Sequence, residues 1–246
     1  MSHPLLHLVP WLALTLPLAA AAADSCSARS GAQAVRVVEL YTSEGCSSCP
    51  PADRWLSALK GRPDVVALAF HVSYWDRLGW KDRFASPAYT RRQAEQQRFN
   101  GARYSYTPQV VVDGVDEAHW HAKPLPGAAQ RRAPVQLSLA RDGATYLAQV
   151  QVHSGAPQRL AAIWVLTEND HKTAVKSGEN EGATLAHDFV VRELRTVAEW
   201  PAATGQSTTL QFRPQTSVDA LHPRELNLVV LDAASGRPVQ AVKVSC

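Results

Sequence analysis

The chain has 246 residues, 46% of them hydrophobic and 19% charged. Its 25 Lys and Arg against 22 Asp and Glu leave a formal net charge of +3, too balanced to recruit nucleic acid or an anionic membrane by charge alone. The length suits two modest domains or one large one.

Residues 1–23 contain no Asp, Glu, Lys or Arg. Trp11 to Leu18 is apolar apart from Thr15 and Pro17, and Ala21-Ala22-Ala23 precedes Asp24 as a small-residue cleavage site. We read 1–23 as a signal peptide with a weak n-region, in which only His3 and His7 can carry positive charge. An uncleaved anchor is the alternative; the prolines and the alanine tail favour export and removal. Lipidation at Cys26 is disfavoured by the acidic Asp24 just before it. No second long apolar run follows, so the mature chain is expected in the periplasm or secreted, with no membrane contact after cleavage. Disulfides persist in such a compartment.

Val35 to Tyr41 predicts a buried strand. After a Gly/Ser loop, Cys46-Ser-Ser-Cys49 meets Pro50-Pro51. Prolines are tolerated only in the first helical turn, so a helix is predicted from Ser48 or Cys49 through Ala52, Trp55, Leu56 and Leu59, ending at Gly61-Arg62-Pro63. Two thiols three apart at a helix N-terminus can close a small disulfide, and the dipole and unpaired N–H groups there favour a thiolate. That context points to a redox pair. A structural disulfide and half of a metal site are the alternatives.

Val65 to Val72 predicts a strand covered on both faces and completes a βαβ unit. Ser73 to Phe84 is read as a functional loop or short helix, with Asp76 and Asp82 on a solvated loop or, if it folds inward, tuning a thiol. Ser86-Pro87 starts a second helix that runs to about Phe99, before Gly101. Its Arg91, Arg92, Gln93, Glu95, Gln96, Gln97 and Arg98 are read as a solvated face. Thr107-Pro108 enters a strand ending at Asp113-Gly114. His71 is read as a hydrogen-bonded strand-end histidine, and His119 and His121 as members of a surface hairpin.

Residues 34–121 form the expected first domain, 122–134 a Pro-rich linker, and 135–246 a second domain of short alternating strands. In the second domain Phe189 to Val197 fits a strand or a short helix, and Gly178-Glu-Asn-Glu-Gly182 an exposed hairpin loop. With Cys46 and Cys49 as neighbours, the other two cysteines, Cys26 and Cys246, are left to pair. A bond between them is expected to tie the ends together, contributing on the order of 4–5 kcal/mol in a chain-entropy picture. Free thiols or pairing between chains is the alternative.

Glu39-Leu-Tyr-Thr-Ser-Glu-Gly-Cys-Ser-Ser-Cys-Pro-Pro-Ala-Asp53, His71-Val-Ser-Tyr-Trp-Asp76, Leu78-Gly-Trp-Lys-Asp82 and Tyr106-Thr-Pro-Gln109 together resemble the DUF1223 family. So do Gly178-Glu-Asn-Glu-Gly182 and Val190-Val-Arg192, so the likeness spans most of the mature chain. The family comprises exported bacterial proteins of unknown function with a thioredoxin-like N-terminal domain. The resemblance implies an α/β thioredoxin-like domain followed by a mostly antiparallel, sandwich-like β domain. It implies Cys46 as the attacking thiol, Cys49 as the resolving thiol and Pro108 as a cis-proline beside them, and it makes 178–182 a candidate contact with the first domain. The Ser-Ser dipeptide and the lack of a Trp before Cys46 depart from typical thioredoxins.

The leading functional expectation is a thiol–disulfide oxidoreductase acting on protein thiols or disulfides, with no cofactor. The second is a copper or zinc protein using Cys46, Cys49 and His71, since thiolates suit soft ions. Cys49-Pro50 is similar to the Cys-x-x-x-Cys-Pro of periplasmic copper chaperones, although one residue shorter in spacing. The third is a non-catalytic binding module whose cysteine pair is structural.

Overall fold

A computed structural model describes residues 26–124 and 126–246; the expected signal peptide, 1–23, lies outside them. Along the chain run β1 (Ser27–Arg29), β2 (Arg36–Thr42), α1 (Pro50–Ser57), β3 (Val65–His71), α2 (Pro87–Asn100), β4 (Gln109–Val112), β5 (Val115–Asp116), β6 (Val135–Asp142) and β7 (Thr145–Val152). There follow β8 (Arg159–Glu168), β9 (His171–Ala174), β10 (Thr184–His187), β11 (Val190–Pro201), β12 (Ser207–Phe212), β13 (Arg224–Asp232) and β14 (Pro238–Val244). No helix among the described residues is long and apolar enough to cross a membrane.

The helix limits follow from side-chain chemistry. Cys49 is the N-cap of α1, and Pro50 and Pro51 fill its first turn. The Ser86 side chain accepts the Ala88 N–H at 3.2 Å to cap α2, Pro87 opens it, and Gly101 closes it in the left-handed region at φ +87°.

The strands assemble into an eight-stranded sheet in the order β14-β13-β8-β11-β3-β2-β4-β5, a four-stranded sheet β1-β6-β7-β12, and a ribbon of β9 and β10. β2 and β3 pair in parallel from Arg36↔Val65 to Thr42↔His71. β11 reaches β3 through one parallel pair, Val190↔Ala69, reinforced by the Ala69 N–H donating to Phe189 O at 2.8 Å. On its other side β11 runs antiparallel to β8 over most of its length. The large sheet therefore passes without a break from the first half of the sequence into the second.

This overturns the expected fold class, an α/β thioredoxin-like domain followed by a mostly antiparallel, sandwich-like β domain. The molecule is mostly β, with two α-helices among the described residues and several sheets. The physical reason is the core. Val37, Phe70 and Val111 pack in one cluster with Ile163, Val165, Val191, Val229 and Ala241, so both halves bury the same apolar surface. A second cluster lies between the β8–β13–β14 end of the large sheet and the four-stranded sheet, where Trp164 stacks on Phe212 at 5.5 Å. Alternation along β2 sends Val37 and Tyr41 to the first cluster and Val38 and Leu40 to a third, beneath α1. Cys26 and Cys246 are joined by a disulfide across 220 residues, with Cα atoms 5.6 Å apart.

The face of α2 read as solvated is half interior. Arg92 is buried and grips Glu39 with both arms, at 2.7 and 3.1 Å, while the Tyr41 hydroxyl donates to the same carboxylate at 2.8 Å. Gln93, also buried, donates to Tyr106 O and to the Gln109 side chain. Arg92→Met would leave the Glu39 charge buried without its cation, which costs about 3–5 kcal/mol. We expect urea unfolding followed by circular dichroism to show a loss of that size; a loss below about 1 kcal/mol would mean that the pair contributes little.

Candidate functional site

β2 delivers the chain to a buried loop, Ser43 to Cys46, which turns through exposed Ser47 and Ser48 into α1. Cys46 and Cys49 form a disulfide, Cα to Cα 5.4 Å, and neither residue has exposed surface. The turn is built by backbone bonds from Cys46 N–H to Ser43 O at 3.2 Å and from Cys49 N–H to Cys46 O at 3.1 Å. The free amides expected around the thiols are largely taken. Pro50 and Pro51 have no N–H, Cys49 N–H is used within the turn, and Ser47 N–H donates to the Glu179 carboxylate at 3.0 Å.

Hydroxyls reach the sulfur instead. Thr107 Oγ1 donates to Cys46 Sγ at 3.4 Å, and Ser48 Oγ lies 3.4 Å from the same atom. The Trp75 indole N–H donates to Thr107 Oγ1 at 2.7 Å and so directs the threonine proton towards sulfur. The Thr107–Pro108 peptide bond is cis. The structure thus brings Cys46, Cys49 and the Thr107–Pro108 segment together.

The Gly178–Gly182 segment lies on the same loop. Asn180 Nδ2 donates to Glu44 O at 2.9 Å and to Cys46 O at 3.1 Å, and the Ser177 hydroxyl donates to Gly79 O. Gly178, at φ +81°, sits so close to Trp80 that an added Cβ would stand 3.2 Å from the Trp80 Cβ. Sequence reading linked this segment to the first half only through resemblance; nothing in its composition shows where it docks.

Behind the cysteine loop is a charged interior that sequence reading missed. Asp82 is buried, not solvated. It accepts Glu44 N–H and Phe84 N–H, each at 2.9 Å, and faces His71 Nδ1 at 2.7 Å. Burial alone would raise the Asp82 carboxyl, but His71 foremost and the two amides outweigh it and hold Asp82 at about 2. Facing an ionised carboxylate, His71 Nδ1 carries its proton. Glu44, fully buried, accepts the Trp80 indole N–H at 2.8 Å and lies 3.5 Å from His187 Nε2. Asp53 stands 3.9 Å from His187 Nδ1. Those distances are ion-pair contacts rather than good hydrogen bonds. Burial pushes His187 down, but Asp53 and Glu44 together raise it to about 9. Burial likewise pushes Glu44 up, and His187, with Thr173 and Trp80 behind it, brings it below the ordinary carboxylate range. Spacing offered no clue to this cluster, because His187 lies far along the chain from Glu44 and Asp53.

The residues of the copper or zinc alternative, Cys46, Cys49 and His71, are engaged with other partners in this structure. The two sulfurs are bonded to each other, and His71 is held by Asp82, with its ring against Phe84 and His187 at 5.2 and 5.0 Å. Among the described residues no group of three or more His, Cys, Asp or Glu stands in position to hold a metal ion. His119 and His121 are exposed beside a 3-10 turn at Trp120–Ala122.

Fold and site define a two-disulfide, mostly β protein of the kind found in oxidising compartments, with a cysteine pair at the head of a short helix. The chain belongs to the DUF1223 family, described as protein of unknown function, whose model matches residues 37–231. Two solved structures are similar. Protein AGR_C_4864 from Agrobacterium tumefaciens shares 25% identity at a TM-score of 0.61, over 86% of this chain and 95% of its own. HBP35 of Porphyromonas gingivalis shares 16% identity at a TM-score of 0.61, over 87% of this chain and 75% of its own, and is alike in fold alone. No curated protein matches the chain.

The signs of the two histidine–carboxylate couplings are opposite in pH. His187 at about 9 lends stability that is complete below its unfolded value and is lost as pH rises through about 9. Asp82 at about 2 lends stability that is complete above its unfolded value and is lost as pH falls through about 2. We expect denaturant melts of the protein to lose on the order of 3 kcal/mol between pH 6.5 and 10 from His187. In His187→Gln that alkaline decline should flatten; an unchanged decline would place its origin elsewhere.

Proposed function

We propose that this protein is an exported thiol–disulfide exchange protein acting on protein thiols or disulfides through Cys46 and Cys49. The observation that carries the reading is the pair of hydroxyls, Thr107 and Ser48, converging on Cys46 Sγ at the head of α1. A hydroxyl donating to sulfur stabilises the negative charge that appears when the S–S bond breaks, and the helix dipole acts in the same sense. Location in the periplasm or outside the cell is supported by the two disulfides and by the leader-like first 23 residues.

In one direction a substrate thiolate attacks Cys46 Sγ. The Cys46–Cys49 bond breaks, its electron pair goes to Cys49, and that sulfur takes up a proton. A second substrate thiolate then attacks the substrate sulfur of the mixed disulfide and displaces Cys46 as a thiolate held by Thr107 and Ser48. The substrate loses two electrons and becomes a disulfide; the pair gains them and becomes a dithiol. The reverse sequence reduces a substrate disulfide. Pro108, next to Thr107, would line the approach to Cys46. Both sulfurs are covered, so approach requires the loop around exposed Ser47 and Ser48 to give way.

That same burial favours a second reading, in which the pair is a structural bond and the protein a non-catalytic binding module. One experiment separates the two. With Cys49→Ser, the free Cys46 thiolate should attack an unfolded protein that carries a disulfide, displace one substrate sulfur as a thiolate and accumulate a mixed disulfide through Cys46, visible on a non-reducing gel and absent in Cys46→Ser/Cys49→Ser. If neither variant traps substrate, and dithiothreitol reduces the wild-type pair only under denaturing conditions, the bond is structural.

A further inference from the structure

The segment Gly178 to Gly182 reaches the cysteine loop from more than 130 positions away in sequence and takes up the polar groups on either side of Cys46. Asn180 holds the carbonyls of Glu44 and Cys46. Glu179 Oε2 accepts Ser47 N–H at 3.0 Å, the amide immediately after Cys46. The segment is braced from behind by Glu181 N–H to Gly178 O at 3.2 Å, Ala183 N–H to Asn180 O at 3.0 Å and Gly182 N–H to Val175 O at 3.0 Å. It is further braced by the close approach of Gly178 to Trp80. The arrangement therefore fixes a carboxylate where a helix N-terminus would otherwise favour negative charge on sulfur.

We propose that Glu179 and Asn180 are positioning residues for the Cys46–Cys49 pair. Asn180 fixes the backbone on both sides of Gly45, and Glu179 places a negative charge on the Ser47 amide that opposes a thiolate at Cys46. This rests on the exchange reading above and deepens it. A group that disfavours the thiolate disfavours the reduced pair, so Glu179 biases the site towards the disulfide and makes the dithiol the stronger reductant. Two opposing influences then meet at Cys46: the Thr107 and Ser48 hydroxyls, which favour the thiolate, and the Glu179 carboxylate, which does not.

The reciprocal effect is visible on Glu179, whose carboxyl is held below its ordinary value by its bonds to Ser47, backbone first. An amide that stabilises a carboxylate is not available to stabilise sulfur. Glu179 is exposed, so its influence is screened by solvent and salt. The titratable groups beneath the cysteine loop are Glu44 on the loop itself, Asp53 on α1, His71 and Asp82, and His187 at the end of β10, and the bonds they make are to one another and to other groups rather than to Ser47.

The test is the thiol pKa of Cys46 in the reduced full-length mature protein, read from thiolate absorbance, together with the equilibrium against glutathione. Glu179→Gln keeps an oxygen that can accept Ser47 N–H and removes only the charge. A merely structural role would leave both readouts unmoved. We expect the Cys46 pKa to fall by about half a unit, a roughly three-fold change in the ionisation constant. The glutathione equilibrium should shift about two- to three-fold towards the dithiol, the size expected of an exposed charge. Glu179→Lys should move both readouts further in the same direction, and 0.5 M salt should shrink both differences. If Glu179→Gln and Glu179→Lys match the wild type in both readouts while the pair remains reducible in the folded protein, the inference is overturned and the exchange reading stands. If the wild-type pair cannot be reduced without unfolding, the exchange reading falls and takes the inference with it.

Discussion

The single parallel register between β11 and β3 is the contact on which the arrangement of the site depends. Ala69 N–H donates to Phe189 O, and Val190 pairs with Ala69. Phe189 adopts φ +55° and is buried beneath α1, with its N–H accepted by the Asn169 side chain. A bulky residue holds a left-handed conformation only where its surroundings fix it. Here they do: one turn of chain enters the sheet at Val190 and leaves His187 pointing at Glu44 and Asp53. The β9–β10 ribbon that ends in His187 also carries, in the connection between its strands, the Gly178–Gly182 segment that clamps the cysteine loop. Joining the sheet, placing the buried cation and covering the disulfide are thus consequences of one local geometry.

The interior beneath the cysteine loop holds three carboxylates, from Glu44, Asp53 and Asp82, against the imidazoles of His71 and His187. Isolated charges at such burial would cost several kcal/mol each, so the cluster persists only as a balanced set. The balance fixes the cysteine loop from below. Asp82 binds the Glu44 N–H, and Trp80 and His187 hold the Glu44 side chain, while Asn180 holds the Glu44 carbonyl from above. Glu44 lies two residues before Cys46, and its whole peptide unit is immobilised.

Local chemistry made much of the first half legible. Pro50-Pro51 and Ser86-Pro87 marked the helix starts because proline lacks an N–H, and the Val-rich runs marked β2 and β3. Reading Cys46 and Cys49 as a disulfide-forming pair needed only their spacing. Illegible were the long-range facts. A run such as Leu160 to Leu166 says that a strand is buried on both faces but not which strand lies beside it. So the continuity of the sheet, and with it the failure of a separate α/β thioredoxin-like domain, could not be foreseen. Arg92 and Asp82 were assigned to solvent because charged residues are rarely buried; Glu39 lies 53 positions from Arg92, and the irregular run over the 11 positions from His71 to Asp82 gives no sign that it folds back. The Gly178–Gly182 segment is partly exposed, and its Glu179 and Asn180 side chains also satisfy another loop's backbone.

That last point bears on how a cysteine pair at a helix start should be read. The usual argument counts the unpaired amides of the first turn as stabilisers of a thiolate. In this chain two of those positions are Pro50 and Pro51, the Cys49 amide closes the Cys46–Cys49 turn, the Ala52 amide bonds back to Cys49 O, and just upstream of the helix the Ser47 amide is taken by Glu179. What remains near Cys46 Sγ is side-chain hydroxyl, from Thr107 and Ser48, with Trp75 orienting the threonine. A hydroxyl can turn its proton towards or away from sulfur as charge appears and disappears, whereas a backbone amide is fixed. The chemistry of the pair is therefore set less by α1 than by segments from elsewhere in the sheet. Its character should follow changes at residues 107 and 179 more closely than changes in the helix that carries it.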